Sequence, residues 1–194
     1  MNFRAVHPWI LPALVAAALA ACAPAAGAEP ELHGTQFEAA APEEFALHSA
    51  AGPVRLSDFR GQPVVLFFGF TSCPDVCPTT LARLGQAMRL LGPQAERVQV
   101  MMVTVDPERD TPAKLAEYTA AFDPRFVGLG GTPAELEAVT TRFGIYHAGS
   151  AGHGGMSHTP NPLLLGPEGS LRAIWPPDLA PEDMAADLRA LIPG

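Results

Sequence analysis

The apolar positions of this 194-residue chain fall into blocks with different periods. Residues 63–70 form an unbroken apolar run, which predicts a central strand buried on both faces, since a half-exposed strand would alternate. Residues 98–105, apolar apart from Gln99 and Thr104, predict a second buried strand. Between them Leu81, Leu84, Met88 and Leu91 recur at helical spacing. They predict a helix that begins near Cys77-Pro78 and stops at Gly92-Pro93. Thr111-Pro112 opens another helix through Tyr118 and Phe122, and Thr132-Pro133 a third through Leu136, Val139 and Phe143. In both, a capping hydroxyl stands before a proline at the first helical position. Short strands are expected at Phe37, at 45–47 and at 54–56, the last closing at Gly61. Residues 163–165 and 172–174 predict a hairpin turning through 167–169, and 181–191 a final helix.

Strand and helix in alternation, then a hairpin and a helix, imply an α/β fold with a central mixed sheet and helices on both faces. The length suits one well-buried domain, taken as 34–194, and no internal repeat or second linker divides it. The formal charge of −8 argues against binding a nucleic-acid backbone.

The first segment reads as an export signal over residues 1–21: Arg4 in a short leading region, then an apolar stretch from Trp9 to Leu19, too short for a permanent span. Leu19-Ala20-Ala21-Cys22 resembles the lipobox of bacterial lipoproteins, which implies acylation of Cys22 and an extracytoplasmic domain anchored to the membrane by lipid. The alternative is a plain secretory signal cleaved after Ala21, with Cys22 incidental. Removing 1–21 takes away Arg4 and leaves the mature chain one unit more negative than −8. Residues 22–33, rich in Ala, Pro, Gly and Glu, read as a flexible tether.

Two cysteines then remain, Cys73 and Cys77, in a compartment that oxidises thiols. They stand where the first buried strand meets its helix, the layout of a thioredoxin-like domain. Helix N-terminal amides aimed at the first sulfur favour its thiolate. With three residues between them, both sulfurs fall on one side of a turn. They suit a redox disulfide Cys73–Cys77, or a shared soft ion such as copper(I). A purely structural staple over so short a loop would add little stability. A structural zinc site lacks its second cysteine pair. A third ligand is sought in the glycine-rich segment 146–158, which carries His147, His153, Met156 and His158, the last directly before Thr159-Pro160.

Residues 68–81 (Phe-Gly-Phe-Thr-Ser-Cys-Pro-Asp-Val-Cys-Pro-Thr-Thr-Leu), 105–112 (Val-Asp-Pro-Glu-Arg-Asp-Thr-Pro) and 127–132, followed by His158, resemble the SCO/SenC copper-chaperone family. The resemblance covers roughly 35–192. It implies a thioredoxin-like fold, with copper(I), and also copper(II), held by Cys73, Cys77 and His158. It also implies delivery of copper to the binuclear copper site of cytochrome c oxidase subunit II, or reduction of the cysteines of that site. A thiol reductant or another copper carrier would then be a further partner. Asp106 matches an acidic position near the family's site and is carried over as accessory; its plain alternative is a turn-starting residue before Pro107. Two departures stand out. Ser157 occupies the place where relatives often carry an acid, and Pro160 falls where thioredoxins carry a cis-proline, making Thr159-Pro160 a candidate for the cis form.

The leading reading is thus a metal-delivery protein, and the runner-up a thiol–disulfide oxidoreductase with Cys73 reactive and Cys77 resolving. A thiol peroxidase is disfavoured, because Phe67 and Phe70 stand where the proline and threonine of that chemistry belong.

Overall fold

The two long apolar runs become β4 (Val64–Gly69) and β5 (Gln99–Thr104), paired in parallel. The computed structural model describes residues 30–38, 43–148 and 157–194. Because strand side chains alternate, these strands feed two cores. Val65, Phe67, Val100 and Met102 enter one, while Val64, Leu66, Phe68, Met101 and Val103 enter the other. The first core is closed by α1 (Val76–Leu91), through Cys77, Leu81, Leu84 and Met88, and by α4 (Pro181–Leu191), through Met184 and Leu188. The second is closed by α3 (Pro133–Arg142), through Leu136 and Val139, and by Leu47 of the hairpin β2 (Ala46–Ser49)–β3 (Gly52–Arg55).

β4 and β5 lie inside a six-stranded sheet, completed by β1 (Thr35–Gln36), β6 (Val127–Leu129), β9 (Leu163–Leu165) and β10 (Leu171–Ile174). The order is β1-β10-β9-β4-β5-β6. β6 continues the parallel half, whereas β9 runs antiparallel to β4 and β10 antiparallel to β9. The mixed sheet with helices on both faces is the architecture expected. Between β5 and β6 lies α2 (Pro112–Ala120), which packs so closely on β6 that a Cβ on Gly128 would lie 2.7 Å from that of Leu115. Both expected threonine caps form, and at Thr132 the box is reciprocal: Glu135 N–H donates to Oγ1, and Thr132 N–H donates to Glu135 Oε2 at 2.7 Å.

The structure differs from the sequence pattern in several places. Leu56 opens a short 3-10 turn, Leu56–Phe59, instead of ending a strand, because Arg55 N–H is taken by Asp58 Oδ2. Phe37 lies just beyond β1, where its N–H donates to Arg172. β6 and the small antiparallel pair β7 (His147–Ala148)–β8 (Ser157–His158) carried too few residues to show a period. No cis peptide occurs among the described residues, so Thr159-Pro160 is trans, contrary to the thioredoxin parallel. Thr159 N–H donates to the Tyr146 carbonyl at 2.9 Å and Thr159 Oγ1 accepts from Tyr146 N–H, so extended pairing runs on into the proline. Packing also begins ahead of the expected domain boundary: Leu32 is buried, and His33 N–H donates to Asp187 Oδ2 at 2.9 Å.

Candidate functional site

β4 ends at Gly69, Phe70 is buried beneath the following turn, and residues 71–75 carry the chain into α1. The first turn of a helix leaves amides without partners. Here the N-cap residue, Asp75, supplies no side-chain acceptor; the N–H of Cys77 donates instead to Cys73 Sγ at 3.4 Å. The first sulfur therefore caps the helix that carries the second. Cys73 is half-buried and Cys77 fully buried, and both are unbridged thiols. Burial pushes the Cys77 thiol well above its ordinary range, its hydrogen bond with Cys73 adds to this, and a backbone contact with Phe70 opposes it. Cys77 is thus the proton-holding partner and Cys73 the accessible one.

Room for the buried sulfur comes from Gly69. A Cβ there would lie 3.0 Å from Cys77 Sγ and 3.0 Å from Phe67 Cε1.

The cysteine turn is fastened from below by Asp110, whose side chain is fully buried. Its Oδ2 accepts from Thr71 N–H at 2.9 Å and from the Thr104 hydroxyl at 2.8 Å; its Oδ1 accepts from the Thr71 hydroxyl. Lys114 approaches Oδ1 at 3.5 Å. Asp110 thus ties the turn after β4 to the end of β5, and its negative charge also disfavours ionisation of Cys77. Sequence reasoning singled out Asp106 and passed over Asp110. Asp106 is buried too, but its carboxylate is occupied by Arg109 Nε, and its N–H donates to Thr104 Oγ1. The signal that was available is the second aspartate of the same short segment, placed directly before the α2 cap.

Of the other candidates, His158 lies on β8 opposite His147. β9 starts at Leu163, opposite Leu66, and runs back along β4, so the backbone of His158 approaches the sheet from the end where β4 meets the cysteine turn. Among the described side chains no cluster of three or more His, Cys, Asp or Glu forms. Cys22, His153 and Met156 lie outside the described residues. Tyr118, on α2, is a further neighbour that the sequence had marked only as a helix position. Burial raises its pKa to about 12, with charge on Cys77, Cys73 and Asp110 acting in the same direction.

A family model described as SCO1/SenC matches residues 33–193, and the chain belongs to that family. It is 44% identical to Protein SCO2 homolog, mitochondrial, of Bos taurus over 108 residues, which make up 54% of this chain and 41% of that protein. The matched segments cover between 33% and 74% of the length of the curated relatives it matches, and about half in most. Among solved structures, apo Sco1 from Thermus thermophilus is 41% identical with a TM-score of 0.73, over 84% of this chain and 98% of that one. Bradyrhizobium japonicum ScoI with copper bound is 36% identical with a TM-score of 0.72, over 78% and 99%. The fold is thioredoxin-like.

Proposed function

We propose that this protein binds copper(I) through Cys73 and Cys77, with His158 as third ligand, and hands it to the binuclear copper site of cytochrome c oxidase subunit II. The observation that carries this reading is the unbridged sulfur pair at the head of α1, in a chain whose 36%-identical relative is described with copper bound. Two thiols side by side suit a soft, low-coordinate cation. Cys73, half-exposed on a turn, is the sulfur that a partner's cysteines reach first, so the metal is exchanged by ligand replacement. Copper is cargo here. Burial favours the protonated form of Cys77, so binding a cation there is coupled to proton release. An export signal and lipidation at Cys22 would place the domain on the side of the membrane where the oxidase copper site lies.

The test is copper(I) titration of the reduced protein against a competing chelator, comparing wild type with His158→Ala. One copper per chain, held at least tenfold less tightly by the variant, is the expected result. Binding indifferent to His158 would remove that ligand, and no competitive binding would remove the carrier function.

The second reading, reduction of the oxidase site's cysteines, is favoured by the asymmetry of the pair. An accessible Cys73 capping a helix and a buried, protonated Cys77 are arranged as attacking and resolving thiols. Mixed-disulfide trapping with Cys77→Ser would detect it.

A further inference from the structure

One hydroxyl stands apart from the polar groups of the fold, that of Tyr118 on α2. Its oxygen is buried without a hydrogen-bond partner among the described residues, although a buried tyrosine hydroxyl normally finds one. The ring meets Phe122 edge-on at a centroid distance of 5.4 Å and packs against the core that holds Cys77, which Cys73 also touches. α1 and α2 both leave the sheet at the ends of parallel strands, β4 and β5, and so descend in the same sense. They come together where a Cβ on Gly85 would sit 2.9 Å from the Phe122 carbonyl oxygen. Cys77 lies about two turns above Gly85 on α1, and Tyr118, on the last turn of α2, lies above Phe122, which follows the end of that helix. Helical side chains lean toward the N-terminus. The phenol is therefore directed up the seam between the helices toward the level of the sulfurs. The influence of charge on Cys77, and then on Cys73, at the phenol agrees with this placement.

We propose that the Tyr118 hydroxyl is a positioning group for the sulfur pair, donating a hydrogen bond to Cys77 Sγ when that sulfur is a metal-bound thiolate. A buried thiolate ligand keeps negative charge and lone pairs, and the orphan hydroxyl is a donor packed against the same core. In the metal-free protein the hydroxyl has no partner among the described residues, so the bond forms on loading. The role deepens the copper-carrier reading and rests on it for the identity of the ion; the hydrogen bond itself requires only a thiolate-bound soft cation.

The test is Tyr118→Phe in the full-length chain, titrated with copper(I) against a competing chelator and, separately, with cadmium(II) followed through its thiolate charge-transfer absorption. A hydrogen bond to a charged partner is worth enough to change affinity about tenfold. The expected result is a loss of about that size for both ions, and a charge-transfer band moved to lower energy because the sulfur lone pair has lost its donor. The unfolding midpoint of the metal-free variant should equal or exceed that of wild type, since an unsatisfied hydroxyl has been removed. A merely structural tyrosine would lower that midpoint and leave the band in place. Unchanged affinities with an unmoved band, or lost metal-free stability as the sole effect, would overturn the proposal. Wild type that binds cadmium(II) but not copper(I) would instead overturn the carrier reading, and the cadmium arm would still decide the role of Tyr118.

Discussion

Removing the Asp110 carboxylate should detach the cysteine turn from the sheet. In Asp110→Ala, the Thr71 N–H, the Thr71 hydroxyl and the Thr104 hydroxyl lose their acceptor together, and Lys114 loses its counter-charge. Thr104 is itself fully buried, so water cannot readily replace the bond there. Breaking a buried charged network by deleting one partner costs about 3–5 kcal/mol. The lower part of that range is expected, because Thr71 is half-buried and can recover solvent. Against a total stability of about 5–15 kcal/mol, the variant remains folded at low temperature with a much lower urea midpoint. Equilibrium urea unfolding at constant slope gives the loss directly. Combining Asp110→Ala with Thr71→Val in a double-mutant cycle isolates the bond across the cysteine turn. The freed turn should also let an alkylating reagent reach Cys73 faster than in wild type. A stability loss under about 1 kcal/mol, with unchanged alkylation, would refute the idea that Asp110 fastens the turn.

Two further outcomes follow from single contacts. Gly69→Ala places a methyl group 3.0 Å from both Cys77 Sγ and Phe67 and 3.3 Å from Met102 Cε, so overpacking should cost about 1–3 kcal/mol in thermal or urea unfolding and displace the buried sulfur. Wild-type stability in that variant would mean that the glycine is not spacing the site. His33 has its pKa raised by its hydrogen bond to Asp187, with burial opposing and the charges of Asp187, Asp183 and Glu31 assisting. Its stabilising effect is therefore full below the unfolded value of about 6.5 and disappears as pH rises through the higher folded value. The stability gap between wild type and His33→Ala should be larger at pH 5.5 than at pH 9. It should stay under about 1 kcal/mol, because the imidazole is 44% exposed. A gap that widens with rising pH would contradict the pairing.

Local features of the chain were legible because their causes are local. Apolar runs at 63–70 and, broken only by Gln99 and Thr104, at 98–105 mark strands buried on both faces, and the Thr-Pro pairs at 111–112 and 132–133 mark helix starts, where a capping hydroxyl and a preset φ are wanted. The spacing of Cys73 and Cys77 at a strand–helix junction was enough to expect a paired-sulfur site, and the longer motifs around them to expect the family that the comparison then showed. The tertiary structure decided what depends on residues far apart in sequence. Asp110 reaches Thr71 across 39 positions, and Asp187 joins His33 to Trp175 from α4, 154 positions from the histidine. Periodicity cannot reveal such pairings, because each residue also fits its own element as a plain cap or surface position. The asymmetry of the sulfurs is likewise tertiary. Cys77 points into a core closed by α4 and β4, whereas Cys73 turns back to cap α1, a difference of burial that two identical letters in one motif cannot express.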